Sequence, residues 1–169
     1  MALQPRDVLV ALKLALREAE DEPSYAALAA DLGLSSSQVH VSVGRAALAR
    51  LVDRDDKRAR FAELREFLLH GIKYMCPAEF GPVARGIPTA HSAAPLRDLL
   101  VDSGEPLVWA DPQGELRGQS IEPLHRAAPG AALRDARLHA GLALIDALRG
   151  GRARERKLAA EELGAMLRP

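Results

Sequence analysis

Over the first seventy residues the apolar positions recur at helical intervals. Val8, Leu12, Ala15 and Ala19 follow one another at three and four, with Leu9 and Leu16 alongside, which predicts an amphipathic helix. Pro5 suits its first position and Asp7 its first turn; the acidic run EAEDEP, closed by Pro23, ends it. A second, short helix after Ser24 carries Tyr25, Leu28 and Leu32 on one face and stops at Gly33. A third begins at Ser35, with Gln38 in capping-box position, turns Val39, Val43 and Ala46 inward and is expected to reach about Val52. Beyond the charged break VDRDDKRAR, the spacing of Phe61, Leu64, Leu68 and Ile72 predicts a fourth.

The pattern changes at Gly71. The stretch IKYMCPAEFGPVARGIPTAHSAAP is rich in Pro and Gly, with β-forming residues in short pieces. PLVWADPQGELRGQSI reads as a hairpin: Leu107 to Ala110, a type I turn at Asp111-Pro112-Gln113-Gly114, then Glu115 to Ile121. Helical spacing returns with Leu138, Leu142 and Ile145, breaks at Gly150-Gly151, and resumes with Ala159, Leu163 and Met166. The expected fold class is α+β in three segments: a helical unit over 1–70, a β-containing module over 71–125 and a C-terminal helical pair over 126–169.

Composition sharpens this. Hydrophobic residues make up 48% of the chain but aromatics only 4%, so the core is built from Leu, Ala and Val, and Trp109 is expected inside it. The 23 basic and 23 acidic side chains cancel, which argues against a nonspecific polyanion binder and leaves local patches to decide any affinity for nucleic acid. One cysteine, Cys76, permits neither an internal disulfide nor a thiolate metal cluster. His40, His70, His91, His125 and His139 lack the three- or four-residue spacing of helical metal ligands. Cys76, six residues after His70 in a stretch read as strand, is a weak nucleophile candidate. No phosphate-cradling Gly-rich loop or Gly-x-Ser-x-Gly occurs, so catalysis is the weaker class of function, and neither a metal nor a cofactor is expected. Arg6, Lys13 and Arg17 interrupt the N-terminal apolar run, and no stretch approaches the roughly 20 apolar residues that span a bilayer. The expectation is a protein of the reducing cytoplasm that does not enter a membrane.

The segment YAALAADLGLSSSQVHVSVG meets the demands of two helices packed at a tight turn. Ala29 is the small residue for close approach, Gly33 makes the turn, and Leu32, Leu34 and Val39 are the apolar anchors. Three serines then open the second helix, where a buried helix would carry apolar residues. The segment resembles the helix-turn-helix of winged bacterial transcription regulators of the MarR kind, over about the first fifty residues and most closely from Tyr25 to Val43. It departs at Ser42, where an apolar residue is usual. The resemblance implies a DNA-reading second helix and makes Ser36, Ser37, Gln38, His40, Val41 and Arg45 its groove-facing residues. Their chemistry fits: Ser hydroxyls and first-turn N–H groups hold phosphate, Gln38 can read adenine, Arg45 guanine, and Val41 a thymine methyl. The bland alternative is a helical hairpin with solvated serine caps.

A winged version adds a β-hairpin. Lys57, Arg58 and Arg60 stand where one would start, with few β-formers around them. Either the wing is very short or it is delayed to KYMCPAEFGPVARG, with Lys73 and Arg85 facing phosphate; the delayed hairpin is the expectation. A second basic cluster, Arg149, Arg152, Arg154, Arg156 and Lys157, is read mainly as internal or solvated. Double-stranded DNA is the expected partner of a homodimer, with Leu142, Ile145, Leu163 and Met166 as candidates for its interface or for packing within the subunit. The other function class is an antitoxin-like protein-binding module that grips a partner through its C-terminal region. A third reading, a small-molecule pocket in the middle module, rests on composition alone.

Overall fold

Gln4 and Asp7 cap the first helix reciprocally, and Pro5 opens it. The computed structural model, which describes residues 1–18 and 20–169, places α1 at Pro5–Leu16, so Ala19 of the expected stripe lies outside the described residues. Helix α2 (Tyr25–Leu32) starts at Ser24, whose hydroxyl accepts the Ala27 N–H, and ends at Gly33 in the left-handed conformation, φ 65°. Helix α3 (Ser36–Leu48) opens with the expected capping box: Ser35 accepts the Gln38 N–H and the Gln38 side chain accepts the Ser35 N–H. It ends four residues before the expected limit. Leu51 and Val52 leave the helix to enter a small hairpin, in which Val52 bridges Ala59 and the Asp53 N–H donates to the Arg58 carbonyl at 2.7 Å. Helix α4 (Phe61–His70) follows.

The stretch around Lys73 and Cys76, expected as strand, is instead one helical turn, α5 (Ile72–Met75), with Cys76 at its end. Then come β1 (Phe80–Pro88), a 3-10 turn at Ala90–Ser92, α6 (Leu96–Leu99), β2 (Leu107–Ala110) and β3 (Leu116–Ile121). The chain closes with α7 (Ala128–Arg134), which the sequence pattern did not announce, then α8 (Ala136–Gly150) and α9 (Ala153–Met166), which it did. The architecture is α+β, with a small mixed sheet in the middle and helices at the C-terminus.

Both β2 and β3 sit where the sequence put them, yet they do not form an antiparallel hairpin. Each pairs antiparallel with β1, and they pair parallel with each other, Leu107 opposite Gln119 and Val108 opposite Ser120, which closes a three-stranded ring. The turn closes as expected, the Gly114 N–H donating to the Asp111 carbonyl at 2.9 Å. It carries the chain onward along β1, and Gly86 faces both Ala110 and Leu116. Glycine makes the tight winding possible. A Cβ on Gly114 would lie 2.3 Å from the backbone of Gly86, and one on Gly86 would lie 2.0 Å from the Trp109 carbonyl oxygen.

The expected one-sided stripe of α1 is buried on every side from Asp7 to Leu16. It packs against both α3 and α8, and Gly141 lets α8 approach: a Cβ there would lie 2.7 Å from Leu16. Lys13, the charge that interrupts the apolar run, reaches Asp135 at 2.7 Å and Asp31 at 3.3 Å. The segments 1–70, 71–125 and 126–169 therefore share one continuous core, from Val8 through Trp109 to Leu167. Leu142, Ile145 and Leu163 are buried in it and Met166 packs against it, so the apolar residues offered for a dimer interface are taken up within the subunit.

Two buried ion pairs fix the packing. Asp146 on α8 accepts from Arg149, Thr89 and Trp109 Nε1, each at 2.7 Å. Arg149 also donates to the carbonyls of Cys76 and Pro77, tying the entry to β1 onto α8. Burial pushes the Asp146 carboxyl upward, against the pull of Arg149 and the two neutral donors. The second pair, Asp7 with Arg45, bears on the candidate interface.

Candidate nucleic-acid interface

The three serines divide their labour. Ser35 is spent on the cap, which leaves the side chains of Ser36 and Ser37 exposed on the leading turn of α3. First-turn N–H groups have no acceptor within a helix, so those of Ser36 and Ser37 are available to an outside anion. The Ser37 hydroxyl stands 3.1 Å from that of Ser35. Gln38 is half-buried, its carbonyl oxygen held by the cap at 2.9 Å, so only its amide nitrogen remains for another partner.

His40 and Val41 continue the outward face, and Val41 is 42% exposed. The His40 ring meets Tyr25 edge-on, with 5.1 Å between centroids, and the Lys57 ammonium lies 4.8 Å from the centroid of the same Tyr25 ring. One tyrosine at the start of α2 thus touches both the middle of α3 and the hairpin behind it. Val39, Val43 and Ala46 point into the core as expected. Ser42, which stands where the helix-turn-helix resemblance leads one to expect an apolar residue, is fully buried, and its hydroxyl accepts the Arg6 Nε–H at 3.0 Å.

Two expected contact residues face inward. Arg45 is 9% exposed and grips the fully buried Asp7 with two hydrogen bonds of 2.8 Å. The Asp7 bond lifts the guanidinium pKa further, against the opposing effect of burial. Arg45 therefore binds α3 to α1 and does not reach out to guanine. Lys57, also 9% exposed, is paired with Glu22. Arg58 remains available: its side chain is 79% exposed and its Asp56 partner lies 3.4 Å away in solvent.

The hairpin tip carries three acids, Asp53, Asp55 and Asp56, against Arg54, Lys57 and Arg58. With Lys57 spent, the free cations beside α3 are Arg54 and Arg58, with Arg50 exposed at the end of the helix. Between α3 and the hairpin lies an open groove of about 340 Å³, bordered by Gly44, Leu48, Val52 and Arg54. Leu48, 67% exposed, was not singled out in the sequence. A position seven residues past Val41 on the same outward stripe would have pointed to it. The expected delayed wing does not form, because β1 is consumed by the strand ring; Lys73 and Arg85 sit on α5 and β1 instead.

The remaining candidates scatter. His70 ends α4, His91 lies in the 3-10 turn, His125 precedes α7, and His139 on α8 donates its Nε2–H to the Pro88 carbonyl at 2.8 Å, beside Trp109 with 5.4 Å between rings. In the second basic cluster, Arg149 is buried against Asp146 and Arg156 donates to the Gly151 carbonyl at 3.0 Å, so neither engages the acids of the hairpin or of the α1–α2 connection. Among the described residues no helix is long and apolar enough to cross a membrane. Comparison of the chain with protein-family models, curated proteins and solved structures finds no match.

Proposed function

We propose that the chain is a sequence-specific DNA-binding regulator, in which α2 and α3 act as a helix-turn-helix and the hairpin from Leu51 to Arg60 is its short wing. The observation that carries this reading is the leading turn of α3, which exposes Ser36 and Ser37 with unspent N–H groups while His40 and Val41 extend the same face. Phosphate at that helix end gains from the N–H groups and the helix dipole together. Base reading then falls to His40, Val41 and the free amide of Gln38, and backbone grip to Arg50, Arg54 and Arg58. Two copies reading half-sites one DNA turn apart, roughly 34–36 Å, would give the affinity that one neutral helix lacks. The surface joining them lies outside α8 and α9, whose apolar faces are used internally.

Selection of bound duplexes from a random pool tests the proposal. The expected outcome is an enriched motif, with preference relaxed at one position in His40→Ala and at another in Val41→Ala. A good base contact is worth about 1–3 kcal/mol of discrimination. A pool that never enriches would contradict it.

A second reading has one observation in its favour. The outward face of α3 carries no Lys or Arg between Ser36 and Gly44, while Val41 and Leu48 are exposed beside the groove. Such a neutral, partly apolar face suits a protein partner, as in the antitoxin-like alternative, and a failed DNA selection would favour it.

A further inference from the structure

On the strand pair of β1 and β3, the residues turned outward are Val83, Arg85, Arg117 and Gln119. Arg85 stands directly opposite Arg117, and Val83 opposite Gln119. The Arg85 carbonyl accepts the Asp111 N–H at 2.9 Å, so the Arg85 backbone points toward β2 and makes no ladder bond to Arg117. Side chains facing each other at such positions stand closest, with about 4.5 Å between Cα atoms. Both arginines are exposed, and among the described residues neither forms a salt bridge, not even with Glu115, two positions before Arg117. Like charges placed opposite one another across a strand pair destabilise it, and here no anion of the protein relieves them.

The positive charge continues beyond the pair. Gln119, one outward position along β3 from Arg117, borders a cavity of about 240 Å³ that Arg152 borders too, at the start of α9. Arg154, Arg156 and Lys157 follow, all exposed. The one acid among them, Glu155, is 7% exposed and holds the Arg152 N–H at 2.8 Å, so it is turned away from the surface. Glu105 is the exposed acid on the cavity rim. The outward face of α3, in contrast, has no Lys or Arg between Ser36 and Gly44.

We infer that Arg85, Arg117 and the start of α9 form a track for the phosphodiester backbone of DNA, separate from α3. One phosphate between the two facing guanidinium groups accepts N–H bonds from each and turns their repulsion into paired charge-assisted contacts. The surface is open and extended, which suits a polymer of phosphates, whereas a small ligand is held in a concave site that covers most of it. Arg85 acts from the strand ring and not from a wing. The track shares with the helix-turn-helix reading the premise that the partner is DNA. It touches backbone only, so it adds grip and carries no sequence information.

The test is fluorescence anisotropy of the intact chain with a labelled duplex of about 30 mixed base pairs, between about 50 and 200 mM salt. Arg85→Gln and Arg117→Gln should each flatten the slope of log affinity against log salt by about 0.9, the share of one phosphate contact. The double variant should lose at least tenfold in affinity at the lowest salt, and Arg152→Gln should flatten the slope further. Arg65→Gln, the same charge change on the exposed side of α4, should leave the slope in place. Melting temperature should hold or rise in Arg85→Gln and Arg117→Gln, because a repulsion is removed. Arg65→Gln matching Arg85→Gln would overturn the track, since net charge alone would then explain the loss. So would tighter binding to poly-L-glutamate than to the duplex, which would mark an acidic protein partner, or no binding to the duplex at all. If no motif is enriched from a random pool while the slopes change as stated, the track stands and base reading by α3 falls. An enriched motif with unchanged slopes would give the reverse.

Discussion

Arg45 and Asp7 join α3 to α1 by two 2.8 Å hydrogen bonds between a guanidinium that is 9% exposed and a carboxylate that is not exposed at all. Arg45→Ala leaves that carboxylate buried and uncompensated, which costs about 3–5 kcal/mol in comparable cases, a large part of an ordinary domain's stability. The expected result in urea unfolding is a midpoint lowered accordingly. Adding Asp7→Asn should recover part of the loss, because the neutral amide still accepts the Gln4 N–H. A double variant no more stable than Arg45→Ala would contradict the ion-pair account. The groove-facing set read from the sequence treated Arg45 as a lone base reader, because its partner lies 38 positions earlier, in a residue that looks like an ordinary first-turn acid. Ser36, Ser37, His40 and Val41 were legible because caps and helical spacing are local. Pairing across elements is not.

The same division holds for elements. The start and stop of α2 and the start of α3 were written in Ser24, Gly33, Ser35 and Gln38, each acting within four residues of itself, and the turn at Asp111–Gly114 was equally plain; the end of α3 was not, falling at Leu48 and not near Val52. What β2 and β3 pair with was not, since that is decided by β1 about twenty or more residues away and by the close approach of Gly86 and Gly114. The immediate hairpin after α3 was set aside for want of β-formers, yet one bridge and two flanking hydrogen bonds suffice to make it. The start of α7 carries a pH dependence that can be measured. His125 Nδ1 accepts the Ala127 N–H at 3.1 Å, and burial, with Arg6 and Arg126 nearby, lowers the imidazole pKa. Its native pKa therefore lies below the unfolded value of about 6.5. The stability this contributes is present above about pH 6.5 and is lost as the pH falls from there toward the native pKa, because the unfolded chain takes up the proton first. Melting temperature should drop over that window, and His125→Asn should flatten the drop. An unchanged slope in the variant would remove His125 as its source.

For the molecule as a whole, α1 is the keystone. Its burial against both α3 and α8 joins the candidate interface to the C-terminal helices, and Lys13 and Arg134 tie the end of α2 to α7 and α8 through Asp31 and Asp135. Although burial opposes its charge, Lys13 and the Leu138 N–H hold the Asp135 carboxyl below its ordinary range, so this tie is kept at neutral pH. The leading turn of α3 is consequently presented by a helix anchored in the common core, with Tyr25 in contact with both His40 and the hairpin's Lys57. The most direct test of whether that turn meets DNA is Ser37→Glu. A first-turn acid favours the helix, so folding should be unaffected or slightly improved. Against the duplex selected by the wild-type chain, fluorescence anisotropy should show affinity reduced at least tenfold, because the new carboxylate sits where phosphate would. Undiminished binding, with the melting temperature held, would mean that the DNA touches another face.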